Sequence, residues 1–232
     1  MATLYIVATP IGNLEDFSAR ALRILSEVDL ILAEDTRVTR KLLSHYQINK
    51  PLISYHQHSQ PQRVDYILKL LKEGKNLALV SDAGTPGISD PGNFLIEKIV
   101  QEQVEGVKVV PIPGPSALTA AASLSGFSMD RFLFLGFPPA KRKRKRFFEE
   151  VLKSKYPVIL YESSHRILKT MQELKELSSF QKELSSLKIM VCQELTKMFE
   201  KTYRGRLEEV IAQMNGKDLR GEFVIIINPG VK

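Results

Sequence analysis

A single cysteine among 232 residues leaves the chain no internal disulfide to form. That residue, Cys192, lies in the apolar run 189–192, where a buried, inert thiol is expected rather than a nucleophile. No apolar run approaches the ~20 residues that a membrane-spanning helix needs. The chain enters the strand-like run 4–7 without a basic leader or cleavage site, so no secretory signal is expected and a reducing cytoplasm is the default location. Histidine is scarce at four residues. His56 and His58 flank Gln57, but no cysteine or carboxylate cluster completes a ligand set there, so no metal is expected. Neither G-x-G-x-x-G nor G-x-x-x-x-G-K-[ST] occurs, so the signatures of a dinucleotide site and of a P-loop are both missing.

The richest stretch is residues 81–92, S-D-A-G-T-P-G-I-S-D-P-G, set between the apolar run 77–80 and the helical pattern from Phe94. Gly84, Gly87 and Gly92 permit close approach of the backbone to a bound molecule. Pro86 and Pro91 keep the loop out of regular structure. Asp82 and Asp90 are acceptors suited to hydroxyls or a cationic amino group. Twelve residues of this composition exceed what a plain connection needs, which favours a ligand loop.

Around this loop, apolar strands alternate with helical patterns: strands near 4–8, 30–33, 52–55, 77–80 and 107–110, and helices between them. Such alternation implies a mostly parallel sheet covered on both faces. The loops 9–16, 81–92 and 111–116 then converge on the edge formed by the strands' carboxyl ends. After Gly126 the pattern restarts, with strands near 132–137, 158–161, 189–195 and 223–227. A polar, serine-rich stretch, 175–188, reads as a helix end and an exposed loop. Two α/β domains are expected, 1–114 with the mostly parallel sheet and 115–232 with a mixed one, and a ligand cleft between them.

Lysine and arginine number 33 against 26 acidic residues, a net charge of +7. The excess favours a polyanionic partner such as nucleic acid. It is densest at Lys141, Arg142, Lys143, Arg144, Lys145 and Arg146. Six consecutive charges spread around all sides of a helix, so a solvated loop or helix start competes with a phosphate-gripping segment.

Seven separated motifs resemble one family. They are YIVATPIGNL at 5–14, AEDTR at 33–37, the loop 81–92, PGPSA at 113–117, YESSHR at 161–166, ELTK at 194–197 and GEF at 221–223. In this order they resemble ribosomal RNA small subunit methyltransferase I, of the tetrapyrrole methylase superfamily. The resemblance covers nearly the whole chain. It implies S-adenosylmethionine (SAM) as cofactor, a homodimer, and 2′-O-ribose methylation of a cytidine in the decoding region of small-subunit rRNA, free or within the 30S subunit. Many members carry a helical extension beyond the last strand, whereas this chain ends at 228–232, so RNA affinity is expected from elsewhere. Phe199 stands where a polar or different aromatic residue is common.

On that reading Asp82 takes the amino head of SAM and Ala83, Gly84, Thr85, Pro86 and Ile88 line its methionine arm. Ser116 and Ala117 stand at a helix start, whose N–H groups can receive a carboxylate or other acceptor. Pro10 and Gly12 close one wall, and Tyr161, Gly221 and Glu222 hold adenine. Asp35, Glu162 and Lys197 are the candidates for the reaction itself, as general base or, for Lys197, as a cation steadying an alkoxide. Arg37, Arg40, Arg166 and Arg204 extend the basic run toward RNA. Two rivals remain at this level: a small-molecule methyltransferase of the tetrapyrrole type, and a non-catalytic RNA-binding or assembly factor.

Overall fold

The computed structural model describes residues 2–56, 61–90, 92–102, 105–179 and 187–229. Pro91, His58, the middle of the serine-rich stretch and the last three residues lie outside these. The chain divides into two units, Met1–Ser116 and Ala117–Lys232.

In the first unit five strands, β1 (Ala2–Val7), β2 (Leu30–Ala33), β3 (Leu52–Ser54), β4 (Leu77–Val80) and β5 (Val107–Ile112), form a wholly parallel sheet in the order β3-β2-β4-β1-β5. The central strands are apolar on both faces because both are covered. One face packs Val7, Ile31, Ala33, Ala78 and Val80 against α1 (Ala19–Glu27) and α2 (Thr36–His45). The other packs Leu4, Leu32, Leu77 and Leu79 against α3 (Pro61–Lys72) and α4 (Asn93–Gln101). Ser18 caps α1 by accepting from the Ala21 N–H, and Asp35 caps α2 by accepting from the Arg37 N–H. The strand order makes β1 lead past β4 to β2 while β4 leads past β1 to β5. The β4/β1 pair is therefore the point where the winding reverses, the place where open α/β sheets hold ligands. β5 runs two residues further than expected, through Pro111. As an edge strand it tolerates the missing N–H.

The second unit opens with α5 (Ala117–Leu124) and carries β6 (Leu133–Gly136), α6 (Arg144–Leu152), β7 (Val158–Ser163), α7 (Ile167–Ser179), β8 (Lys188–Gln193), β9 (Lys201–Arg206), α8 (Leu207–Met214) and β10 (Glu222–Asn228). Its sheet runs β6-β7-β10-β8-β9, parallel only between β6 and β7. Both expectations hold: a parallel first sheet and a mixed second one. α6, α7 and α8 cover one face over Phe148, Met171, Leu174, Val210 and the strand residues Val158, Leu160, Val191 and Ile225. α5 contacts β10. β9 was not expected as a strand. Its sequence, KTYRGR, buries only Tyr203, as suits a charged edge that discourages further pairing. α7 extends to Ser179, so the 175–188 stretch begins as the expected helix end.

Candidate functional site

The first unit gathers its loops where the winding reverses. Thr9, just after β1, and Gly84, in the loop after β4, form a two-way backbone bridge, with N···O distances of 2.9 and 3.1 Å. The buried Thr9 hydroxyl donates to the Ser81 carbonyl at 3.3 Å. Thr85 Oγ1 donates to the Pro115 carbonyl at 3.1 Å, tying in the loop after β5. The loop after β2 joins through the Asp35 N–H, which donates to Asp82 Oδ1 at 3.0 Å. Gly84 has a φ of +82°, and a Cβ there would come within 3.3 Å of Ile11 Cγ2, so only glycine suits the bridge. Pro10, Gly84 and Pro86 are buried in this cradle, while Gly12, Asp82, Ala83 and Ile88 face solvent and Thr85 and Ser116 are half-buried.

Three carboxyls share this edge. The Asp82 N–H approaches Glu34 Oε2 at 3.4 Å, and Asp90 accepts from the Gly87 N–H. Burial pushes the pKa of each up: Glu34 is raised further by the charges of Asp82 and Asp90, Asp82 by that of Asp35, and Asp90 by that of Asp82. An edge of partly desolvated, mutually repelling carboxylates favours a cationic ligand. Asp35 differs. The side-chain hydrogen bonds of Arg37, joined by its N–H and its charge, hold that carboxyl down at about 2. Its oxygens are committed to capping α2 and to the Arg37 guanidinium at 2.5 Å. It is a weak base in this setting, and Arg37 is correspondingly paired rather than free.

The second unit forms its own edge at the carboxyl ends of β7 and β8 and the start of β10, where Ser163 pairs with Glu222 and Gln193 with Phe223. Glu194 and Thr196 both take left-handed backbone, with φ of 53° and 65°. Two such residues in one short turn mark a strained segment of the kind found at functional sites. Glu194 Oε1 accepts from the Glu222 N–H at 3.0 Å and from Lys197 Nζ at 2.8 Å; Lys197 also reaches Glu222 Oε2 at 3.0 Å. Burial alone would lower the Lys197 pKa. The hydrogen bonds it donates to Glu194 and Glu222, with their charges, outweigh burial and leave it raised. Lys197 is thus a fixed cation, not a base. Gly221 sits at φ +94°, and a Cβ there would collide with the Glu194 carboxylate. Tyr161, half-buried nearby on β7, stacks edge-on against Phe134 and Phe137, with ring centroids 4.9 and 5.6 Å away.

Three expectations need correction. Glu162 is 1% exposed, turned onto the core face with Leu160. Arg166 at 2.8 Å, Arg144 at 3.7 Å and the Thr170 hydroxyl at 2.6 Å enclose it, so it holds the fold and has no access to a substrate. Arg144 is equally buried, bonded to Glu173, Thr170 and the Pro139 carbonyl and set over the Phe148 ring, and so leaves the basic run. Arg166 spends its guanidinium on Glu162 and the Pro138 carbonyl. Lys141, Arg142, Lys143, Lys145 and Arg146 stay exposed, around a helix start where Lys143 caps α6 with φ 65°. Arg40 and Arg204 are exposed, the latter donating to the Leu124 carbonyl. Sequence reasoning passed over Thr9, Glu34 and Glu194 as site residues. Their place directly after apolar strand runs was the available signal.

Burial pushes the Cys192 thiol up to about 11, so it is inert. No group of three metal-binding side chains and no helix long and apolar enough to cross a membrane occurs among the described residues.

Known proteins resemble the chain throughout. A family model described as Tetrapyrrole (Corrin/Porphyrin) Methylases matches residues 3–211. The chain is 42% identical over 228 residues to ribosomal RNA small subunit methyltransferase I of Thermotoga maritima, covering 98% of this chain and 99% of that one. Its identity to the protein of the same name from Synechocystis is 46% over 228 residues, 98% of this chain and 79% of the other. Among solved structures, cobalt precorrin-4 methyltransferase superposes with a TM-score of 0.68 at 20% identity, over 97% of this chain and 94% of that one. Diphthine synthase does so with a TM-score of 0.68 at 15% identity, over 98% and 90%. These two share the fold. Given the family match and the end-to-end identity to its relatives, the chain belongs to the tetrapyrrole methylase family, among the ribosomal RNA small subunit methyltransferases I.

Proposed function

We propose that the chain uses SAM to methylate the 2′-oxygen of a cytidine in the decoding region of small-subunit rRNA, as a cytoplasmic homodimer acting on the free rRNA or the 30S subunit. The observation that carries this reading is the acidic edge of the first unit, where Glu34, Asp82 and Asp90 all have raised pKa values. A ligand bearing an ammonium and a sulfonium relieves that repulsion, and the relatives' names supply the RNA substrate. SAM, when bound, supplies an electrophilic methyl on its sulfonium. Asp82 has one carboxylate oxygen left for the amino head after accepting from Asp35. The backbone of 83–88 lines the methionine arm, with Pro10 and Gly12 as a wall. Ser116 and Ala117 present N–H groups at the start of α5. Tyr161, Gly221 and Glu222 take the adenine side.

No candidate base fits well: Asp35 is tied to Arg37, Glu162 is sealed in the core and Lys197 is cationic. The rate then rests on placing the ribose hydroxyl in line with the methyl, worth up to ~7–11 kcal/mol for ideally positioned groups. Lys197 steadies the negative charge that develops on the ribose oxygen. Lys141, Arg142, Lys143, Lys145 and Arg146, with Arg40, grip the RNA backbone. Labelled SAM offered to small subunits from a strain lacking the activity, followed by nucleotide mapping, tests this. Label on one cytidine ribose is the expected result. Label found only in a porphyrinoid, or none at all, overturns it.

A further inference from the structure

A second feature of the 117–232 unit lies at the far end of its sheet. Ser125, Phe127, Lys188, Ile189, Arg204, Gly205, Arg206 and Glu209 line a cleft of about 280 Å³. Lys188 begins β8, and Glu194 follows six positions later, about 20 Å along an extended strand. The cleft is thus remote from the Glu194–Lys197 turn within the same unit.

Its chemistry follows from strand register. Lys188 lies directly opposite Arg206, and Met190 opposite Arg204. Period-two alternation puts Lys188, Arg204 and Arg206 on one face of the β8/β9 pair, away from the face that buries Ile189 and Tyr203. Like charges directly opposite one another across an antiparallel pair repel. Neither the Lys188 nor the Arg206 side chain enters an ion pair among the described residues. Glu209, the one carboxylate in the lining, has Oε2 on the Arg206 backbone N–H at 2.8 Å. Arg204 is held in place by the Leu124 carbonyl and Met190 Sδ. Phe127, half-buried, lines the same cleft, and its backbone N–H donates to Ser125 Oγ at 3.1 Å.

Two cations outside the described ion pairs and an aromatic side chain, lining one small cleft, suit a single unit that is both anionic and planar. We infer that this cleft binds one unpaired nucleotide of the RNA substrate, its phosphate between Lys188 and Arg206 and its base on Phe127. The inference rests on the rRNA reading above and adds a docking point outside the transfer chemistry. Unpaired bases stacked on aromatic side chains, with phosphates on a basic groove, are the usual way single-stranded RNA is held.

The test uses the full chain and a fluorescein-labelled single-stranded oligoribonucleotide. The double variant Lys188→Gln/Arg206→Gln is compared with Lys153→Gln/Lys155→Gln, an equal charge change elsewhere in the unit. The first pair is expected to weaken binding about tenfold more than the second and to lower the salt slope by about 0.7, since one phosphate contact is lost. Phe127→Leu is expected to weaken binding at least about fivefold with the slope intact. All variants should take up SAM like the parent by calorimetry, which shows that they fold. An iodouridine-substituted oligonucleotide should crosslink to the peptide containing Phe127. Equal binding by the two double variants, or a change in oligomeric state caused by the first pair alone, overturns the inference. If the parent still labels small subunits in that case, only the cleft assignment fails. If the parent neither binds RNA nor labels small subunits, the rRNA reading fails with it.

Discussion

The two units present sheet edges of similar layout and opposite electrostatics. In the first, Glu34, Asp82 and Asp90 sit together with raised pKa values and no cation paired to them among the described ion pairs. In the second, Lys197, Glu194 and Glu222 are bonded to one another. Lys197 lies between Glu194 and Glu222 and its pKa is raised; burial pushes the Glu194 carboxyl up, but the Lys197 and Glu222 hydrogen bonds leave it lowered. Just beneath, Glu162 is satisfied by Arg144, Arg166 and Thr170. The difference teaches where binding capacity is stored. A saturated ion-pair network fixes shape, whereas repelling carboxylates leave a favourable interaction for a cation to complete.

The largest expected effect breaks the saturated side. Glu162→Ala leaves Arg144 and Arg166 facing a buried gap, and urea unfolding should show a loss of about 3–5 kcal/mol, as when one partner of a buried pair is removed. Next comes Gly221→Ala, which drives a side chain into Glu194 at a left-handed position. Methyl transfer should fall about a hundredfold through misplacement, with a smaller change in stability measured by melting. On the unsaturated side, Asp82→Asn should weaken SAM binding about 10–100-fold, as for a lost charge-assisted hydrogen bond. The apo protein should be unharmed or slightly stabilised, by at most about 0.5 kcal/mol in the same unfolding assay.

The pH dependence has the same sign logic. The three carboxyls have folded pKa values above their ordinary ones, so the burial and mutual repulsion of their charged forms cost stability at neutral pH, a cost relieved as pH falls through those raised values. SAM affinity should therefore begin to fall at a higher pH than ordinary carboxylates would give, while the apo melting temperature does not. The smallest effect belongs to the exposed cations around the start of α6. Each Gln replacement among Lys141, Arg142, Lys143, Lys145 and Arg146 should lower the salt slope of RNA binding by about 0.7, while Arg144→Gln should instead lower stability.

Much of this was legible in the sequence. Apolar runs of four to six residues gave β1, β2, β4 and β7 because these strands are buried on both faces. The glycine, proline and aspartate of 81–92 marked the cradle, since a bridge at φ +82° has few alternatives to glycine. β9 escaped notice because an edge strand with a single buried residue lacks an apolar run. Charge partnerships were the hardest to read. Glu162 looked like a strand-end catalyst, yet alternation from Val158 and Leu160 already put it on the core face. Arg144 looked like one of six equivalent cations, yet its spacing to Phe148 and Val151 is that of the buried helix face. Neither pattern names the partners, which for Arg144 include Thr170 and Glu173 of α7, 26 and 29 residues on, and for Glu162 are Arg144, Arg166 and Thr170.

Calorimetric titration of SAM into the parent and Asp82→Asn proteins, at neutral pH and again in the mildly acidic range, tests the account most directly. The parent should bind SAM at neutral pH and lose affinity on acidification, and the variant should bind weakly with a flatter pH response. No uptake of SAM by the parent, or equal affinities for the two proteins across that range, would contradict the claim that the acidic edge of the first unit receives the cofactor's cationic groups.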